Sequence, residues 1–404
     1  MKVEQIYSLV NTITNEVLGD SAIVKEDLSN VVEIGQSIEG AIGIDNYVKK
    51  LVDHIGKVIF VDRPYFGTTP SVVRDAWEFG SILEKIQADM PTAIESDTWN
   101  LVNGNSYDPY VFFQPSVSAL FFNDRVAYDI PISFTERQVK SSFSSPTQLN
   151  GFLSMIFNSA EKAMSLKLDE LVMRTINTMI AQTVFAESPA TPYQNRTGLK
   201  AVNVLKLYND RFNKSLTAEA SVTDPEFIRY CAYLMSLYTD RLAKMSTLFN
   251  IGQKQRFTPK SDLSIILLSE FKESAGVYLQ SDTFHDSFVA LPQAESVPYW
   301  QGNGQDFSFA HNSSIDVEIK NLDPDSQITK PHIQMSGIIG VMFDRNAIGV
   351  ANLDRRVTSS YNPRAEFFTN YYKMDAGYYM DHTENFIVFY VADPIEVNNT
   401  KTGK

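Results

Sequence analysis

From Pro146 to about Thr183 the apolar residues recur at Leu149, Phe152, Leu153, Ile156, Phe157, Ala160, Ala163, Met164, Leu168, Leu171, Val172, Ile176, Met179 and Ile180. That is the three-and-four spacing of one helix face, kept up for many turns. Ser145 stands where an N-cap belongs, and Pro146 falls in the first turn, where its missing N–H costs nothing. At about 1.5 Å per residue the helix is a rod of about 55 Å, longer than an ordinary globular helix. Either other elements are built along such a rod, or it is one strut in a larger object.

The flanking stretches differ in pattern. Residues 1–43 hold one short apolar run (Ile6, Leu9, Val10, Ile13, Val17) and then Gly35, Gly40 and Gly43, which reads as an arm with few internal contacts. Asp45 to Ile55 has helical spacing and stops at Gly56. Val58–Val61 reads as a strand and Trp77–Gln87 as a less regular one, while Ser96–Gln114, rich in Asn, Gly, Tyr and Pro, reads as a long loop. Val126, Tyr128, Ile130, Ile132 and Phe134 then alternate strictly with Arg125, Ala127, Asp129, Pro131 and Ser133, the pattern of an antiparallel strand buried on one side. Pro131 cannot donate to a ladder, so this strand belongs at an edge or a bulge. Together 57–140 reads as a long extended hairpin carrying an insertion, and because it buries little alone it must lie on something else.

After the long helix, Thr223-Asp-Pro-Glu226 reads as a capping box opening a helix through Phe227, Cys231, Leu234, Tyr238 and Met245. Leu263–Leu268 is a short buried strand. Ser269 caps a brief helix ending near Gly276, and a further strand lies around Val297–Trp300. This is a compact α+β unit. Strands return at Ile338–Phe343, ending in the turn Asp344–Ala347, and at Phe367–Met380 and Phe386–Val391, with Asp381-His-Thr-Glu384 as the hairpin loop between the last two. Residues 392–404 read as a polar tail.

The chemistry of a catalytic site is not apparent. Five histidines, His54, His285, His311, His332 and His382, are scattered and never at metal-ligand spacing, and His382 reads as part of a solvated turn. Gly302 and Gly304 start a G-x-G, but Phe307 stands where a third glycine is needed. Asp323-Pro-Asp325 reads as a turn, since the spacing of a calcium loop is missing. The sequons at Asn195, Asn213, Asn312 and Asn398 carry no meaning without a secretory signal, and Met1–Tyr7 does not read as one. The single cysteine, Cys231, lies in a helical pattern and reads as a buried thiol, so no disulfide framework is expected. Arg355-Arg356 and Arg241 with Lys244 are the densest basic spots, diluted by Asp354 and Asp240, and a net charge of −13 argues against a phosphate-binding surface. No window nears the roughly 18 apolar residues of a membrane span. No catalytic, cofactor-binding or metal residues are therefore assigned. The 26 Phe and 19 Tyr fit core packing and aromatic-rich subunit interfaces better than a cofactor pocket.

Arm, short helix, extended hairpin, long helix, compact α+β unit and returning strands follow one another in the order of the major capsid proteins of tailed phages, the Hong Kong 97-type fold. The local match is best with small short-tailed phages. It resembles them in Asp45-Asn-Tyr-Val-Lys-Lys-Leu-Val-Asp-His-Ile-Gly56, in Asp262-Leu-Ser-Ile-Ile-Leu-Leu268, and in Asn362-Pro-Arg364 followed by Phe367-Phe-Thr-Asn-Tyr-Tyr372. The resemblance implies an α+β chain with an N-terminal arm (1–43), the start of a peripheral domain (44–56), an extended loop with insertion (57–140), a spine helix (141–190), an axial domain (191–337), returning peripheral strands (338–396) and a polar tail (397–404). It implies a homo-oligomer of pentamers and hexamers, closed into an icosahedral shell around double-stranded DNA. Its partners would be a portal and scaffolding or decoration proteins, with assembly in the host cytoplasm and residence in the virion capsid. It also implies that the hairpin lies over a neighbour's spine helix, and that the acidity of many copies lets DNA slide within the shell. A nanocompartment shell of the encapsulin kind is the related alternative, separable by its neighbouring genes. A hydrolase with a site assembled from scattered Asp, Glu and His is the alternative outside this class, and it requires a deep polar pocket.

Overall fold

The computed structural model describes residues 71–74, 83–88, 90–91, 93–108, 110–114, 117–135, 137–138, 146–187, 192–281, 293–300, 313–319 and 331–395, with the backbone alone at 88, 97, 146–158 and 278–281. The arm, the helix expected at 45–55, the strand at 58–61, Ser145, the glycines at 302 and 304, Asp323-Pro-Asp325, His54, His285, His311, Asn312, Asn398 and the tail from 396 onward lie outside the described residues.

The strands are β1 (Val73–Arg74), β2 (Leu83–Ala88), β3 (Val117–Phe122), β4 (Arg125–Thr135), β5 (Ala201–Asn203), β6 (Leu263–Leu268), β7 (Glu295–Val297), β8 (Ser314–Glu318), β9 (His332–Ser336), β10 (Ile338–Asp344), β11 (Ile348–Asn362), β12 (Phe367–Met380) and β13 (Phe386–Tyr390). The α-helices are α1 (Pro146–Glu187), α2 (Val204–Phe212), α3 (Ala218–Ser221), α4 (Pro225–Ala243) and α5 (Ser269–Ser281). The chain is α+β, as expected.

The rod is present as α1, 42 residues long. Ala160, Met164, Leu168, Leu171, Val172, Ile176, Met179 and Ile180 are buried on its predicted face. Towards the C-terminal end burial spreads round the helix to Met173, Thr175, Asn177, Gln182 and Thr183. Thr175 and Thr183 resolve their burial by donating back to the carbonyls of Leu171 and Met179, at 2.8 Å each. The reason is that two sheets enclose this half of the helix.

One sheet has the order β1-β11-β12-β4. The hairpin β11–β12 runs from Ile348↔Met380 to Asn362↔Phe367, and β4 pairs antiparallel with β12 from Arg125↔Gly377 to Thr135↔Phe367. Strict alternation in β4 is therefore real. Val126, Tyr128, Ile130 and Ile132 pack towards the core beside buried Phe134, and Pro131 sits opposite Tyr371 on an edge strand. β4 lies within the 57–140 stretch, yet its partner is the C-terminal β12. The antiparallel hairpin of that stretch is β2–β3, from Leu83↔Phe122 to Ala88↔Val117.

The other large sheet has the order β5-β13-β10-β6-β7 and is mixed. Alternate side chains of a strand face opposite ways, and here both faces are covered. Phe386, Val388 and Tyr390 of β13 join the cluster around α1, while Ile387 and Phe389 join a second cluster with Tyr208, Phe227, Tyr238 and other residues of α2 and α4. That double burial explains why β13 and β10 read as continuous apolar runs.

Three expectations are corrected. Asp381–Glu384 is no hairpin loop: β12 and β13 belong to different sheets, so the turn is a crossover between them. Nor is it solvated, since Asp381 and Glu384 are buried. The cap of α4 is Asp224, whose side chain accepts from the Phe227 N–H at 2.8 Å with Pro225 at the first helical position, and the helix stops at Ala243. Glu226 turns instead to Lys214. Finally, α5 runs past Gly276 to Ser281. A Cβ at Gly276 would meet nothing within 4 Å, so that glycine is an open surface position rather than a stop.

Candidate assembly site

The hairpin β2–β3 carries its insertion as an exposed, self-contained loop. Backbone groups there find local partners: the Asn105 N–H donates to the Val102 carbonyl, the Val102 N–H to the Tyr107 hydroxyl, and the Tyr110 N–H to Asp108 Oδ1. Gly104, at φ +98°, makes the turn that allows this. The rings, by contrast, face water. Trp99 is 93 % exposed and Phe112 83 %, with Ile94, Tyr110 and Phe113 similarly bare. From 89 to 116 the charged residues are Asp89, Glu95, Asp97 and Asp108, with no Lys or Arg. A concentration of exposed apolar area on one loop marks a contact surface.

At the base of the hairpin the crossover turn Asp381–Glu384 forms a polar hub. Lys85 of β2 places its Nζ 2.5 Å from Asp381 Oδ2 and 2.6 Å from Glu384 Oε1. Burial by itself lowers the lysine pKa, but the bonds to the two carboxylates outweigh it and hold the group above its ordinary value. Gln87 Nε2 donates to Thr383 Oγ1 at 3.2 Å, and the Arg256 guanidinium donates to Gln87 Oε1 and lies 3.5 Å from Glu384 Oε1. His382 reaches Gln182 on α1, and its carbonyl accepts from the Gly252 N–H at 2.7 Å. The Asp381 N–H donates to the Ala347 carbonyl at 2.7 Å. Next to it, Asn385 donates to Thr258, which donates to Asp344 Oδ2 at 2.8 Å, all three buried. Four consecutive residues thus tie together the hairpin, the spine helix, the loop after α4 and the Asp344–Ala347 turn.

The other groups singled out from sequence do not converge. His332 pairs with Asp316 at 2.5 Å on the exposed side of β8–β9. Arg356 pairs with Asp354 and Asp375 on the surface of the β11–β12 ribbon, and Arg241 lies over the Tyr238 ring. Cys231 is buried, which pushes its thiol pKa up. Asn213 is the left-handed C-cap of α2, and Asn195 bonds the backbone of Ile395. Among the described residues no group of three or more His, Cys, Asp or Glu is placed to hold a metal ion, and no helix is long and apolar enough to cross a membrane. Sequence reading missed the hub, because its members are spread from Lys85 to Glu384 and no local spacing links them.

A family model described as the Phi29-like phage major capsid protein matches residues 10–390. The chain belongs to that family. Its copies accordingly build a phage shell, and its place is the virion capsid as a structural protein. Hairpin, spine helix, α+β unit and returning strands also stand in the order that the Hong Kong 97-type resemblance implied. Solved structures that overlap it include the capsid of Staphylococcus phage Andhra, at 11% identity and TM-score 0.46, covering 82% of this chain and 87% of that one. The capsid of cyanophage P-SCSP1u overlaps at 11% identity and TM-score 0.40, covering 80% and 87%. The mature capsid of bacteriophage PhiM1 does so at 7% and 0.40, covering 83% and 90%. No curated protein matches this chain.

Proposed function

We propose that this capsid subunit joins its neighbours chiefly through the insertion of the β2–β3 hairpin, which lies across the spine helix of an adjacent copy, and that it has no catalytic role. The exposed aromatic loop carries this reading: an acidic, ring-rich surface left in water by the protomer gains most by being covered. Repeated by symmetry in pentamers and hexamers, one such contact per copy sums to a closed shell. In this arrangement 57–140 is the extended loop, 141–190 the spine, and 1–43 an arm. Strands β5 to β9 with α2, α4 and α5 make up most of an axial unit (191–337), and β10 to β13 make up most of the returning part of a peripheral one (44–56 and 338–396), so that the five-stranded sheet, through β10 and β13, is shared between the two. The shell encloses double-stranded DNA, takes a portal and scaffolding or decoration proteins as partners, and assembles in the host cytoplasm. The acidity of the chain keeps packaged DNA from adhering, so reversing lumenal charges lowers packaging while leaving assembly intact.

Electron microscopy of the purified chain, alone and co-expressed with its neighbouring genes, tests the reading. Shells, tubes or capsomer rings are expected. A small species that persists under co-expression would remove it.

A further inference from the structure

The hairpin β2–β3 is fastened to the body by polar side chains. Among the described residues, none from Leu83 to Phe122 belongs to either apolar cluster or packs against one. At its root, where β3 runs into β4, the Phe122 ring lies 5.3 Å from that of Tyr379, and the Tyr378 N–H donates to the Asp124 carbonyl at 3.1 Å. Further along, the inward-facing pair of β2, Lys85 and Gln87, meets only the crossover turn and Arg256 among the bonds described. We propose that this junction is a clamp that sets the direction in which the hairpin leaves the body, with Lys85 as its positioning residue. The inference rests on the reading that the insertion meets a neighbour, since the hairpin's direction then decides where it lands and how the assembly curves.

The two sides of the clamp are unequal. The receiving turn is held without Lys85: the Thr383 N–H donates to Asp381 Oδ1 at 2.8 Å, Asp381 is tied to Ala347 through its own N–H, and His382 is tied to Gly252 and Gln182. Glu384 retains Arg256 as a cation. The hairpin has no comparable reserve, because β2 and β3 pair with each other in a sheet of two, and a lone hairpin is marginal in water. With Lys85 seated between two carboxylates of one rigid turn, the hairpin has one direction. Without it, the hairpin pivots about the Phe122–Tyr379 contact while the body stays folded.

Lys85→Met keeps the stem and removes the charge, and Lys85→Arg keeps the charge. Hydrogen exchange on unassembled subunits, and the diameter distribution of assembled particles, read the two consequences separately. For Lys85→Met, amides of 83–122 exchange at least about tenfold faster, those of α1, β10 and β13 are unchanged, and particles become heterogeneous in size or curvature. Lys85→Arg restores both, and Gln87→Ala, which removes the adjacent tie, shifts both in the same direction by less. Exchange that is unchanged, or that rises uniformly because the whole chain has loosened or unfolded, overturns the clamp. If the hairpin loosens and particles stay uniform, the clamp as a determinant of curvature is overturned. Failure of the wild-type chain to assemble at all would instead count against the proposed function.

Discussion

His382 Nε2 stands 2.6 Å from Gln182 Oε1, joining the crossover turn to the enclosed end of the spine helix across 200 residues of sequence. Burial lowers the imidazole pKa below its ordinary 6.5, and the neighbouring Asp381 offsets only part of that. The unfolded chain therefore binds the proton more readily than the folded one. Stability from the neutral ring is fully present above about 6.5 and is lost as pH falls through the lowered folded value. Denaturant midpoints at pH 7.5 and 5.5 should show a larger acid loss for the wild type than for His382→Gln. Equal losses would assign the acid sensitivity to other groups.

Gly337 joins β9 to β10 at φ +76°. A Cβ there would lie 2.1 Å from the Val391 carbonyl oxygen, while the Val391 N–H donates to the Gly337 carbonyl at 2.8 Å. Gly337→Ala meets both a left-handed backbone and a backbone clash, so a loss of about 2–4 kcal/mol is expected in urea unfolding. A loss within about 0.5 kcal/mol, the range of an ordinary surface change, would contradict this geometry.

Ile176 is fully buried in the stretch of α1 that both large sheets enclose. Truncation to Ala leaves a cavity facing several elements that cannot all collapse, and should cost about 2–5 kcal/mol. Leu166, on the exposed side of the same helix, should tolerate Ala within about 0.5 kcal/mol. Comparable costs at the two positions would mean that the helix is not oriented as described.

Trp99 and Phe112 invert the usual relation between apolar character and stability. Both are exposed in the protomer, so Trp99→Ser with Phe112→Ser should leave the unfolding midpoint of the unassembled subunit nearly unchanged. Burying such rings is worth roughly 1.5–3 kcal/mol each, and a shell repeats that loss at every equivalent contact, so assembly yield should fall by tenfold or more. Normal yield from the double variant would place the insertion outside the contact.

Legibility followed how local the physical cause was. The spine helix and β4 declared themselves because each presents one apolar face, with a period that shows in the residues themselves; the missing N–H of Pro131 left an edge or a bulge open for β4, and the sheet order decided for the edge. Phe386–Tyr390 was readable as a strand but not as to its partner, since a run buried on both faces carries no phase. The turn before it therefore looked like a hairpin loop when it is a passage between sheets. The cap of α4 was misplaced by one residue because Thr223 and Asp224 are both good caps, and the geometry at Pro225 selected the aspartate. That most of the aromatic surplus would be core was readable, but not which rings the fold would leave exposed.

Local chemistry in the chain determined the rod, the alternating strands, the buried thiol of Cys231 and the α+β class, because periodicity, proline geometry and burial preference act over a few residues. Only the tertiary structure decided that Lys85, Arg256, Gln182 and the turn Asp381–Glu384 would meet. Their encounter depends on which sheet each strand joins, and strand pairing is set by the packing of both faces of a sheet at once. It also decided that Trp99 and Phe112 would remain in water, because whether an apolar ring is core or contact depends on what the rest of the fold leaves uncovered.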